Sequence, residues 1–397
     1  DALGNKIKEI LPSGEEITYS YDALGQMTKR ILPDNQIDTF EYNAAGKMVK
    51  AVAANNNTIS FTYNENGRVL KEVQPAGTVV YSYNSSQGTR TITYPGAREI
   101  TEHYDLRARF KSITENSTEI ISYSFNNSTD KISALSMQNG IKGIYDYNSK
   151  GEITELGYKL GDNWLVQHKF NLDPGGNILD QIDTLNSQKS KHYSYDQVQR
   201  LTREETGPAQ TDSSTYYMLD PVSNWSKVLK DNNSTTFNNT VNNLNQYTSF
   251  NGKALVYDQN GNLKQDDQNI YVYDALNRLT KVLDKDTNAT KAMYVYDALD
   301  RRIKKIVGSK NSTYIFDSMG NIIEEYVNSS LVASYVYGRN ANELFSMNKQ
   351  GKTYYYLKDI RFSPVMLTDE SGQIVEEYEY NAYGQAQIYN AQGTALN

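Results

Sequence analysis

One short pattern recurs along the whole chain: two aromatic residues one apart, an Asp or Asn, two further residues, usually a Gly or Asn, then an alternating apolar run. It is clearest in YSYDALGQMTKR (Tyr19–Arg30), FEYNAAGKMVKA (Phe40–Ala51), FTYNENGRVLKE (Phe61–Glu72), YDYNSKGEITEL (Tyr145–Leu156), YSYDQVQRLTRE (Tyr193–Glu204), YVYDALNRLTKV (Tyr271–Val282) and YVYDALDRRIKK (Tyr294–Lys305). Weaker copies are EHYDLRARFKSI (Glu102–Ile113), YIFDSMGNIIEE (Tyr314–Glu325) and YEYNAYGQAQIY (Tyr378–Tyr389). Self-similarity of this kind marks an array of one supersecondary unit, each copy burying its apolar face against its neighbours.

With the Asp or Asn after the second aromatic as register, the copies fall at Asp1, Asp22, Asn43, Asn64, Asn84, Asp105, Asn126, Asn148, Asp173, Asp196, Asp220, Asn242, Asp258, Asp274, Asp297, Asp317, Gly338, Asp359 and Asn381. Most steps are 20 to 23 residues, two near Asp258 are 16, and one before Asp173 is 25. No linker or second domain interrupts the series. The opening DALGNKIKEI matches the middle of the copy at Tyr21–Arg30, so the chain is expected to start inside a repeat.

Each copy reads as a β-hairpin. The aromatic-x-aromatic start sets two rings on one face of a strand, because side chains alternate. The Asp or Asn closes a turn with its own side chain, and a Gly or Asn beyond it tolerates positive φ. Residues read in these roles are Tyr21, Asp22, Gly25, Tyr42, Asn43, Gly46, Tyr63, Asn64, Gly67, Tyr195, Asp196, Tyr273, Asp274, Tyr296 and Asp297. A second alternating run follows, as at Leu279-Thr280-Lys281-Val282, and a loose polar turn such as Pro33-Asp34-Asn35 or Asp286-Thr287-Asn288 leads onward. Helical periodicity is not sustained, so few helices are predicted. The predicted fold class is all-β: tandem hairpins of about 21 residues in a long antiparallel sheet.

About 19 hairpins make a ribbon roughly 180 Å long at ~4.8 Å per strand. An open twisted sheet of that length curls or splits, and a barrel of so many strands needs a plug. That leaves a spiral wound into a hollow shell, or a string of small sheets. Even spacing favours the shell. Composition does too: 33 Tyr stand against 10 Phe and 2 Trp, and the hydrophobic fraction is only 38 %. Tyr suits a wall with one wet side better than a thick dry core.

Without cysteine the chain has no disulfide, thiolate nucleophile or Cys-type zinc site. The net charge of −7, with no basic stripe, argues against nucleic acid as a partner. No apolar run is long enough to span a bilayer as a helix.

These repeats resemble the YD-repeat or Rhs-repeat family, which includes bacterial Rhs proteins, the C component of ABC-type toxin complexes and the teneurin shell. The resemblance runs the full length. Tyr354–Gly384, YYYLKDIRFSPVMLTDESGQIVEEYEYNAYG, is similar to the end of the Rhs core, with Tyr355, Asp359, Ser363, Thr368, Asp369, Gly372, Tyr378, Tyr380, Tyr383 and Gly384 at matching positions. Phe362 departs, since the family commonly has Gly there. The resemblance implies a spiral sheet wound into a cocoon, often around a variable C-terminal polypeptide such as a toxin. It places self-cleavage at an Asp in a D-P-x-G-x motif expected beyond Asn397, so no catalytic residue is assigned here. Residues 1–353 are read as the repeat array and 354–397 as Rhs-core-like repeats continuous with it.

Other candidates have plainer readings. Asp173-Pro174-Gly175-Gly176 and Asp220-Pro221 could pass for the cleavage motif, but Asp-Pro is ordinary turn chemistry at the repeat register. His103, His168 and His192 lie far apart in sequence with no zinc-type pairing, and no G-x-S-x-G elbow supports a nucleophilic Ser. Asp284-Lys285-Asp286-Thr287-Asn288 has a D-x-D-x-N spacing, yet Ala289 and Val295 stand where an EF-hand needs Gly and Glu. Sequons at Asn84, Asn116, Asn127, Asn233, Asn288, Asn311 and Asn328 matter only in a eukaryotic secretory host. The tyrosines could stack on sugars, but a ring at the same place in every hairpin is more simply cross-strand packing.

The expectation is a structural shell fragment of a large secreted or cell-surface bacterial protein, with no cofactor, metal or enzymatic activity of its own. Its expected partners are a C-terminal cargo polypeptide and flanking regions of the same protein. The alternative is a surface adhesion or scaffold protein whose repeats bind a glycan or protein. Sheet edges are expected at both ends of the array.

Overall fold

In the computed structural model of the chain, residues 1–208, 213–231, 233–236, 239–338 and 343–396 are described, the side chains of 233–236 excepted. The sequon side chain of Asn233 therefore lies outside the described residues. Strands dominate. Among the described residues the only helical segments are single 3-10 turns at Pro33–Asn35 and Ser187–Lys189. The first is the loose turn expected there, with Asp34 and Asn35 both at positive φ.

The hairpins pair antiparallel in the register the repeat predicts. Glu16–Tyr21 pairs with Met27–Ile31, setting Tyr19 opposite Arg30 and Ser20 opposite Lys29. Ile37–Tyr42 pairs with Met48–Val52, Thr58–Tyr63 with Val69–Gln74, and Asn269–Tyr273 with Leu279–Asp284. In all four the register slips at the second aromatic: Tyr21, Tyr42, Tyr63 and Tyr273. Such a bulge adds local twist and re-aims a side chain. The second ring of the aromatic pair is thereby turned out of simple alternation.

The chain forms two compact units. The first comprises Asp1–Thr101, Val241–Ser249 and Lys253–Asn342; the second comprises Glu102–Thr240, Phe250–Gly252 and Glu343–Asn397. Each joins early hairpins to late ones. In the first unit, Leu11, Ile17 and Leu32 pack against Ala275 and Leu276, and Phe40, Ala51 and Ala53 pack against Ala298 and Leu299. In the second, Tyr217 meets Tyr383 edge-on at 4.6 Å between ring centroids, and Tyr123 meets Phe345 at 6.1 Å. Aliphatic and aromatic side chains, tyrosine among them, thus pack in seams between early and late ribbons in each unit, and in the first unit Ile303, Tyr314 and Phe316 form a further cluster within the late ribbon. A composition poor in Leu and Phe can fill a seam of that thickness.

Candidate functional site

The repeat turn carries the first specific geometry. The Asp22 carboxylate oxygen Oδ1 accepts the backbone N–H groups of Leu24 and Gln26, both at 2.9 Å. The Asp22 N–H donates to the Gln26 carbonyl at 2.9 Å, and the Gly25 N–H to the Asp22 carbonyl at 3.1 Å. Gly25 takes φ 76°. The turn therefore needs a short side-chain acceptor at its first position and a left-handed residue at its fourth.

The same pair of side-chain bonds forms at Asn43, Asn64, Asp196, Asp274, Asp297, Asp359, Asp369 and Asn381. Gly46, Gly67, Gly372 and Gly384 supply the left-handed residue in four of these turns. Asp and Asn interchange because both offer Oδ1 as acceptor. Asp173 and Asp220 make this turn as well, which gives both Asp-Pro sequences a structural role. Asn390 also makes it, one place beyond the register read from the sequence. Its preceding Tyr389 was the available signal.

The second geometry couples neighbouring hairpins. The hydroxyl of Tyr42 donates to the Met27 carbonyl at 2.9 Å and that of Tyr63 to the Met48 carbonyl at 2.6 Å. Tyr21 donates likewise to Lys6, Tyr83 to Val69, Tyr195 to Ile178 and Tyr296 to Leu279. Each acceptor stands five residues after the preceding register residue, as Met27 does after Asp22. In these six copies the tyrosine before the turn is therefore a rung to the repeat behind it, with each rung contributing about 0.5–1.5 kcal/mol. Tyr273 and Tyr380 are half-buried, and burial raises both hydroxyl pKa values.

The seams within each unit hold charge that periodicity does not announce. In the first unit the Arg30 guanidinium joins Asp38 at 2.7 Å and Asp300 at 3.2 Å. Arg301 bridges Asp297 and Glu72, both at 2.8 Å. Burial holds the Glu72 carboxyl above its ordinary value against the pull of Arg301. Glu324 is raised by burial too, although its Oε1 accepts the Gly96 N–H at 3.0 Å and its Oε2 the Tyr326 hydroxyl at 2.8 Å. In the second unit Asn139 donates to the Thr368 hydroxyl at 3.1 Å and the Asp369 carbonyl at 2.9 Å. Lys358 is 5 % exposed, with Nζ 3.7 Å from the Phe345 ring centroid and 3.9 Å from Glu343.

The remaining candidates fall to local partners. His103 meets the Thr114 hydroxyl, His192 lies between Asp180 and the Gly207 carbonyl, and His168 faces Asp183 at 3.8 Å. Asp284 accepts the N–H groups of Asp286 and Thr287 and pairs with Lys291 at 2.9 Å, so a lysine meets the D-x-D-x-N carboxylate. No group of three or more metal-ligating side chains occurs among the described residues. A cleft of about 970 Å³ in the first unit is lined in part by Tyr257, Tyr273, Tyr294 and Tyr296; the Tyr296 hydroxyl there is already engaged as a rung.

The turn-and-rung repeat is the feature that comparison with known proteins recognises. The teneurin YD-shell family model matches residues 1–86 and 138–392. The chain belongs to the teneurin YD-shell family. Among solved structures, the TcdB2-TccC3 crystal structure covers 100 % of this chain and 24 % of its own, with a TM-score of 0.76 at 15 % identity. The Photorhabdus luminescens Tc holotoxin pore covers 97 % of this chain and 24 % of its own, with a TM-score of 0.70 at 14 % identity. At such identities the likeness shows the fold: an all-β YD-shell of tandem hairpins.

Similar sequences include the tRNA3(Ser)-specific nuclease WapA of Bacillus spizizenii, 31 % identical over 158 residues, or 39 % of this chain. The tRNA nuclease WapA of Bacillus subtilis is 30 % identical over 158 residues. The YD-shell chain spans 7 % of the length of either relative. The fold supports a structural, shell-type role. No helix among the described residues is long and apolar enough to cross a membrane.

Proposed function

We propose that this chain is a wall segment of a larger secreted or surface-exposed protein, and that the wall encloses a C-terminal polypeptide of the same protein, in the manner of a toxin cargo. The observation that carries the reading is the tyrosine rung. It ties hairpin to hairpin through backbone carbonyls, so the repeats act as one wall. Residues 1–353 act as the array and 354–397 as its Rhs-core-like continuation. The Tyr, Asx and Gly positions of the turns are structural, and no cofactor enters. The chain spans only 7 % of either WapA relative, and the nuclease activity in their names is not carried over to these repeats.

The test is limited proteolysis of the natural polypeptide that carries this chain, followed by mass spectrometry. Encapsulation requires the sequence C-terminal to the array to resist protease until the wall is denatured. Cleavage of that sequence at native-state rates, with the array intact, would move the assignment to a surface scaffold that holds no cargo.

A further inference from the structure

The two short steps of the register, on either side of Asp258, fall at the cleft of the first unit. The hairpin there is built from Val256–Tyr257 and Leu263–Gln265, two and three residues, where Ile37–Tyr42 and Met48–Val52 have six and five. Tyr257 and Asp258 of this hairpin and Tyr273 of the next copy line the cleft, whose volume of about 970 Å³ is that of a small-molecule site.

Two interactions of the repeat lapse at these tyrosines. The first is the rung. By register the Tyr257 and Tyr273 hydroxyls would reach the carbonyls of Tyr247 and Leu263, yet neither hydroxyl has a partner among the described residues. The second is a cation cap. In four copies the residue four places after the register residue lays its guanidinium over the ring that precedes the next register residue. Arg68 lies over Tyr83 at 5.2 Å, Arg109 over Phe125 at 4.2 Å, Arg278 over Tyr296 at 4.8 Å and Arg301 over Phe316 at 5.0 Å. The negative π face of the ring attracts the cation. At Tyr257 and Tyr273 the capping position holds Gln246 and Asn262, and among the described residues no cation lies over either ring. Gln26 leaves Tyr42 uncapped in the same way, but Tyr42 keeps its rung.

The charge of the cleft has the sign that an uncapped ring calls for. Asp38 and Asp274 in its lining are paired with Arg30 and Arg278. Glu15, Asp34 and Asp258 have no cationic partner among the described residues, and Lys264 is the one lining ammonium without an acidic partner there. Asp258 lies close enough to Tyr273 to add to the effect of burial in raising its hydroxyl pKa.

We propose that the cleft binds an organic cation, an alkylammonium or guanidinium group, seated on the rings of Tyr257 and Tyr273 with Glu15, Asp34 and Asp258 as its counter-charges. The ligand takes the place that an arginine of the chain itself takes in the four capped copies. An anion would meet the excess of carboxylates, and a neutral ligand would draw nothing from it. A free polyamine and a lysine side chain of a polypeptide share the required chemistry. The inference goes beyond the wall reading and holds whether or not the wall encloses a cargo.

Isothermal titration of the natural polypeptide at low salt tests it, with spermidine as one probe and a trilysine peptide as the other. Saturable binding is expected, and Tyr273→Leu should weaken it by about 5–30-fold as the π face is lost. Asp34→Asn, at an exposed turn residue whose left-handed φ of 64° Asn also tolerates, should weaken it by about 2–5-fold. Glu65→Gln, which removes the same charge from an exposed turn away from the cleft, should leave it unchanged. Binding of spermidine alone assigns the site to a free polyamine, and binding of trilysine as well assigns it to a polypeptide lysine. Failure of both probes to bind the parent would overturn the proposal. So would a loss in Glu65→Gln equal to that in Asp34→Asn, or unchanged binding in Asp34→Asn, which decides the matter should Tyr273→Leu fail to fold.

Discussion

The Tyr383 hydroxyl donates to the backbone carbonyl of Leu201 at 3.0 Å. In six other copies that carbonyl position, five residues after the register residue, is met by the tyrosine of the next hairpin. Here the next register residue, Asp220, is preceded by Leu219, which has no hydroxyl. Tyr383 fills the place from the other ribbon of the second unit, its ring meeting Tyr217 and Trp225 edge-to-face at 4.6 and 4.8 Å between centroids. Tyr383→Phe should therefore lower stability by about 1–3 kcal/mol, the worth of the hydroxyl's hydrogen bonds with the Leu201 carbonyl and the Trp225 side chain, and Tyr383→Ala by about 3–5 kcal/mol as the ring contacts also go. Chemical denaturation reads both. A Tyr383→Phe variant as stable as the parent would show that the hydroxyl contributes nothing.

Acid should unpick the turns at Asp173, Asp196 and Asp220 before the Asn turns. Hydrogen bonds hold the Asp196 carboxyl below its ordinary value, first from the Arg200 backbone N–H and then from the Arg200 side chain. Asp173 and Asp220 are lowered chiefly by Asn177 and Asn224. A depressed folded pKa gives stability that is present above the unfolded value, about 3.9, and is lost as pH falls through the folded one. Asn43 and Asn64 close the same turn without titrating. Replacing Asp173, Asp220 and Asp196 by Asn should leave the neutral-pH denaturation midpoint nearly unchanged and flatten its decline below about pH 4. An acid limb identical to the parent's would count against the turns as the titrating element.

Lys358 predicts the opposite limb. Burial lowers its ammonium pKa to about 8, opposed only in part by Glu343. The unfolded lysine keeps its proton to about 10.4. Between those values the unfolded state binds more protons, so stability should rise with pH. Above that window the trend should reverse, because burial raises tyrosines such as Tyr356, to about 12, and they hold protons that the unfolded chain releases. Lys358→Met should abolish the rise while leaving the later fall. A stability profile flat from pH 8 to 10 in the parent would refute the buried-cation assignment.

The fold was legible because its determinants are local and repeated. Alternation gave the strands, and Asp22-Ala23-Leu24-Gly25 carries its turn in sequence alone. The tyrosines were readable only as packing surface. That Tyr42 spans to Met27 follows from the bulge beside it, which shifts the ring out of alternation. The seams were not legible. Arg30 and Asp300, or Asn139 and Asp369, lie far apart in sequence, and nothing periodic marks which residue of a polar-looking strand faces another ribbon. Leu24 and Leu276 occupy the same motif position, yet Leu24 is exposed and Leu276 is half-buried against Leu11, Ile17 and Leu32, because packing there depends on the ribbon opposite and not on the repeat itself.

Phe362 is a motif departure whose consequence the turn geometry states directly. It occupies the left-handed fourth position of the turn at Asp359, with φ 64°, where Gly25, Gly46 and Gly372 sit at 76°, 74° and 80°. A bulky residue held there is strained by about 1–2 kcal/mol. Phe362 recovers little by burial, being 48 % exposed, with Lys358 Nζ 5.7 Å from its ring centroid. Phe362→Gly relieves the strain but returns about 0.5–1 kcal/mol in chain entropy, so Phe362→Asn is the better substitution, as Asn245 and Asn277 hold this position at 58° and 60°. Phe362→Asn should raise stability by about 0.5–1.5 kcal/mol in denaturant titrations. A loss instead would mean that the ring makes a contact worth more than the strain it carries.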